Sequence, residues 1–162
     1  MKLEQQFKLL LDEAPRYGVP TLVMQQAVIP ALKQLAGQLG HANYYVVQTE
    51  VGDWIMTVLQ HKEKPQLEKK VIYAFASRED AAKFSESNEQ ISQVVKVPVA
   101  NLLFELFALE RVDSIIFIDA PSNRKQGKEI PRPALQAMIQ EGLKKLQPPR
   151  QVRSREIPPD IA

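Results

Sequence analysis

Residues 91–119, ISQVVKVPVANLLFELFALERVDSIIFID, decide how this chain must fold. Ile91–Val97 alternates and is rich in β-branched residues, the pattern of a strand with one covered face. Pro98 has its φ already set for a helix start and opens a helix whose densest apolar face runs from Asn101 to Leu109. Ser114–Ile118 is a short, unbroken apolar run and reads as a buried strand.

Upstream, Lys70–Ala76 is another strand, and Ser77, followed by Glu79 and Asp80, caps a short helix that reaches about Ser85. With the central stretch this makes a β-α-β-α-β unit, whose strands should run parallel with right-handed crossovers. Tyr44–Thr49 and Trp54–Gln60 are aromatic and β-branched, and Glu50, Val51, Gly52 and Asp53 separate them as the turn of a hairpin. Trp54 is the single tryptophan, expected to cover the edge of the core. His61–Lys70 is charged, contains Pro65 and reads as a loop.

Leu3, Phe7, Leu10 and Leu11 recur at helical spacing, so residues 2–13 form an amphipathic helix that Pro15 and Gly18 end. Thr21 caps a second helix, which Pro30 should kink or split and which Gly37 and Gly40 close. After Asp119 a loop of about a dozen residues follows, long by the usual statistics. Pro131 and Pro133 then open a last helix with Leu135, Met138, Ile139, Leu143 and Leu146 on one face. The expectation is one α+β domain over residues 1–147: a mixed five-stranded sheet with two N-terminal helices and one C-terminal helix. Residues 148–162, rich in Pro and Arg, read as a flexible basic tail.

A length of 162 residues suits one domain. The absence of cysteine excludes disulfides, thiol nucleophiles and cysteine metal sites. Only His41 and His61 are available as histidines, both in expected turns, so neither a metal centre nor a cofactor is expected. No nucleophile motif or phosphate loop stands out, and no catalytic residue is assigned. Glu4, Asp12 and Glu13 interrupt the N-terminal leucines, unlike a secretory signal, and no run approaches the ~20 apolar residues of a membrane span. A cytoplasmic protein without a membrane partner is the resulting expectation.

Charge is uneven. Through residue 120 there are 12 Lys/Arg against 15 Asp/Glu; thereafter there are 9 against 4. Ligands of open α/β sheets collect outside the carboxyl ends of parallel strands, and here that edge offers Asp119, Ser122, Asn123, Arg124, Lys125 and Lys128 as an anion or partner site. The loop lacks the glycine pattern that wraps a phosphate. Asp113 and Asp119 stand at opposite ends of a strand some 20 Å long at ~3.3 Å per residue, too far apart for an acid–base pair. Arg150, Arg153 and Arg155 add tail contacts for a partner. No Phe, Tyr or Trp accompanies the basic residues from Arg124 to Arg155, so nucleic acid ranks below a protein partner. Leu102, Leu103, Phe104, Leu106, Phe107 and Leu109 make their helix apolar over most of its circumference. Either the N-terminal helices cover the surplus or a second copy does, as a homodimer.

The run VIYAFASREDAAKF, followed by VVKVPVANLLFELFALERVDSIIFIDAP, resembles the SseB-like domain named for type III secretion enhancer proteins. The shared features are a strand ending in an aromatic and a small residue, a short helix, a "vPv" strand opening a leucine-rich helix, and a "v-D-s-i-i-I" strand. They cover about residues 71–121. The resemblance implies a small sheet-and-helix domain used as an accessory or regulatory module, and it brings no catalytic residues. The functional expectation is a non-enzymatic accessory protein that binds another protein. The alternatives are a nucleic-acid-associated factor using the basic end and an anion- or small-molecule-binding enzyme using the Asp119–Lys128 loop.

Overall fold

The computed structural model describes residues 2–60, 62–64, 66–87, 92–109, 111–119 and 127–146. Its elements are α1 (Leu3–Asp12), a 3-10 turn (Ala14–Tyr17), and α2 (Thr21–Val23), which passes through a π turn (Met24–Val28) into α3 (Ile29–Ala36). There follow β1 (Asn43–Thr49), β2 (Thr57–Gln60), β3 (Glu68–Phe75), α4 (Arg78–Glu86), β4 (Ser92–Pro98) and α5 (Val99–Ala108). The chain then forms β5 (Ser114–Ile118), β6 (Lys128–Pro131) and α6 (Arg132–Leu146).

The fold is α+β with a mixed sheet, of six strands where five were expected. The order is β4-β1-β3-β5-β6, with β2 pairing β3 off this path. The sixth strand, β6, falls inside the stretch read as a loop. Only one of its residues, Ile130, is buried, opposite Ile115, so no alternation announces it. The three strands of the β-α-β-α-β unit do share a direction, but only β3 and β5 are neighbours. β1 lies between β4 and β3, antiparallel to both. The step from β3 to β4 uses α4 on one face, and the return to β5 uses α5 on the other, so the two crossovers share one hand.

The expected hairpin is also reorganised. Gly52 takes φ 93°, and the chain turns back far enough for Ile55 N–H to donate to Val47 O at 2.9 Å. It then leaves β1, and β2 pairs β3 from Thr57 opposite Val71 to Gln60 opposite Glu68. β1 meets β3 only at Tyr45 and Phe75, so the two splay apart and residues 54–56 wedge between them.

Strand periodicity divides the core in two. Tyr44, Val46, Ile72, Ala74, Ile115 and Phe117 face the layer formed by α1, α3, α5 and α6. Val47, Phe75 and Ile118 face α4 through Ala81, with Tyr73 and Phe84 packed against them. α1 and α3 both pack on α5, where Leu102, Leu103, Phe104 and Leu106 are buried. The N-terminal helices thus cover the surplus apolar face of α5.

Two helix readings need revising. Pro20 is the N-cap of α2, and Thr21 is its first helical residue without a capping bond. Pro30 does not split the helix. The backbone stays helical, and Ile29 N–H reaches Met24 O in the wider π turn just before the proline, where the tighter repeat would clash with its ring. Ser77 caps α4 as expected, accepting from Asp80 N–H at 3.1 Å.

Candidate functional site

Of the site residues chosen from the sequence, Asp119 and Lys128 lie among the described residues. Asp119 is exposed, yet its carboxylate accepts the Tyr44 hydroxyl at 2.5 Å and so ties the end of β5 to the start of β1. Gly40 permits this approach, since a Cβ there would stand 3.2 Å from Asp119 Oδ2. Burial first, then the bond to Asp119, pushes the Tyr44 phenol well above the ordinary tyrosine value. Lys128 lies exposed on β6, opposite Phe117. Ser122, Asn123, Arg124 and Lys125 lie outside the described residues, as do Arg150, Arg153, Arg155 and the whole tail. Asp113 is structural: it donates to and accepts from the backbone of Lys70, both at 2.8 Å, and its carbonyl receives Arg132 N–H.

A cleft of about 320 Å³ lies elsewhere, between α5 and the segment 52–56 that leads into and forms the wedge. Asn101, Glu105 and Leu109 line one side at one-turn spacing, so a single stripe of α5 faces it. Asp53, Trp54 and Met56 line the other side, and Arg111 and Val112 follow the helix end. Trp54 is half-buried, packed on the rim of the main core as expected.

Glu105 is the charged group most affected by this geometry. Burial alone raises its pKa above the ordinary glutamate value. Among the described residues its carboxylate forms no ion pair, and the phenol of Tyr17, whose ring lies tilted against Phe104 with centroids 4.8 Å apart, senses its charge. Arg111 is exposed and is not paired with it. The helix end adds to the negative potential: α5 has no basic residue in its last turn, where the N–H of the C-cap Leu109 donates to Glu105 O. The sequence did carry a trace of this site. Asn101 and Glu105 are the two polar residues, four apart, in an otherwise apolar helix, but only packing brings Trp54 and Asp53 opposite them.

The second notable surface is the ribbon formed by β2 and the start of β3. Val58 is 50% exposed, Leu59 37% and Leu67 53%. No described strand pairs with the second edge of β2.

No protein-family model matches this chain, and no curated protein does. The SseB-like resemblance of residues 71–121 therefore rests on the quoted residues alone. Among the described residues there is no group of three or more His, Asp or Glu side chains able to hold a metal ion. No described helix is long and apolar enough to cross a membrane.

Proposed function

We propose that this chain is a non-enzymatic accessory module that works by binding another protein, and that the β2–β3 ribbon is its docking edge. The observation that carries this reading is a strand edge paired by no described strand, combined with exposed Val58, Leu59 and Leu67. An open edge offers a row of backbone donors and acceptors to an incoming strand, and side chains of alternate residues then set specificity. Lys69 and Lys70 on β3, with Glu68 beside them, surround the apolar residues with charge, as a soluble edge requires. The SseB-like resemblance points the same way, since it implies an accessory or regulatory role.

This reading moves the binding surface away from the α5 face, which the N-terminal helices cover. The test places a photo-crosslinking residue at Leu59 and, as a control, at Leu22, which is 55% exposed on α2. The expected result is one discrete adduct from position 59 that is absent from position 22 and is lost when Val58→Glu is added. Equal adducts from both positions, or an adduct unaffected by Val58→Glu, would overturn it.

A further inference from the structure

We propose that the cleft beside α5 binds an alkylguanidinium or alkylammonium group, with Glu105 as its counter-charge and Trp54 as the wall along which its apolar stem lies. The proposal is independent of the β2–β3 ribbon. Its first support is shape. About 320 Å³ is at the small end of ligand sites, room for one long side chain or a small amine rather than a nucleotide. The second is charge. Among the described residues no cation pairs with this half-buried carboxylate, so it pays for desolvation without recovering it, and an incoming cation supplies the missing pair.

The helix end acts in the same direction. The carbonyls of the last turn of α5 carry partial negative charge, and no lysine, arginine or histidine of that turn offsets them. Asp53 contributes a second carboxylate from the opposite wall, and Asn101 an amide one turn before Glu105. Met56, Leu109 and the Trp54 ring give the methylene stem an apolar lining, and an indole face attracts a cation within about 6 Å. Arg111 is the one like charge on the wall. It is exposed, so solvent screens it.

Two sources could present this group: a free amine, or an arginine or lysine side chain of a protein. Trp54, the single tryptophan of the chain, reports binding from inside the cleft. The full chain is titrated with agmatine, with N-acetyl-arginine amide, with a capped Ala-Arg-Ala peptide and with the neutral citrulline analogue, while tryptophan emission is read. The expected result is a saturable change with the guanidinium compounds and none with citrulline. Tighter binding of the tripeptide than of agmatine assigns the site to a protein side chain, and the reverse order assigns it to a free amine.

Glu105→Gln should weaken binding by about 10- to 100-fold, the loss of one charge-assisted contact. Arg111→Ala should leave binding equal or tighter. Thermal melting of both variants establishes that they are folded. Citrulline binding as well as the guanidinium compounds, retention of affinity in Glu105→Gln, loss of affinity in Arg111→Ala, or no saturable signal with any ligand would each overturn the proposal.

Discussion

Gln6 shows how much a single polar side chain can organise. It is almost wholly buried on α1, donates to Ala42 O at 2.8 Å and accepts Ala100 N–H at 3.0 Å. It thereby joins the approach to β1 with the first turn of α5, where a helical N–H has no partner of its own. Replacing Gln6 with leucine should cost about 1–3 kcal/mol, because the Ala100 N–H stays buried and loses its partner, while Ala42 O keeps only the Val99 N–H at 3.0 Å. Urea denaturation measures that loss, and a variant as stable as the parent would show that water replaces the side chain. Two glutamates give opposite pH signatures. Glu105 holds its proton to higher pH in the folded chain, so its contribution is full below the unfolded glutamate pKa and is lost as pH rises through the raised value. Burial works against Glu129 too, but its bonds from Lys69 and Ser114 prevail and lower its pKa. Its contribution is therefore present above the unfolded value and is lost as pH falls through the folded one. Melting curves across acid to neutral pH should show Glu105→Gln stabilised at neutral pH, with the difference closing in acid. Glu129→Gln should be destabilised at neutral pH, again converging with the parent in acid.

At the scale of elements, α6 packs closely against the π turn. A Cβ on Gly142 would stand 2.9 Å from Ala27 Cα and 3.1 Å from its Cβ. Gly142→Ala gains about 0.8–1.0 kcal/mol of helix propensity, but forcing the helices apart costs about 1–3 kcal/mol. A net loss near 1 kcal/mol is expected in chemical denaturation, and a stabilised variant would mean that the helices slide apart freely. The cap of α4 is simpler: Ser77→Ala should cost about 1 kcal/mol. These elements were legible to different degrees. Ser77 with Glu79 and Asp80 is a local signal, because the cap is made within one turn. The first and last helices were legible because a buried stripe repeats with the helical period. The π turn was not, because a proline in a helix has several remedies and neighbouring α6 bears on the choice. β6 was not legible either, since one buried residue in four carries no period.

At the scale of the molecule, β5 is flanked on both sides by β3 and β6, whereas β2 and the start of β3 lie outside both apolar clusters. Hydrogen exchange should therefore find the amides of Ile72–Phe75 and Ile115–Phe117 among the slowest, and those of Val58–Gln60 among the first to exchange. Equal protection in both would contradict a docking edge held only by β3. By itself the sequence determined the α+β class, the direction shared by β3, β4 and β5, and the apolar face of α5. Each depends on local propensity and on the period with which side chains meet a buried face. Tertiary structure alone decided that β1 enters between β4 and β3, that residues 54–56 become a wedge, and that Asp119 is bound to Tyr44. It also decided that Trp54 and Glu105 share a cleft. The physical reason is that periodicity states which face of an element is buried but not which element covers it. Partner choice depends on contacts between residues far apart in the chain, and those leave no local pattern to read.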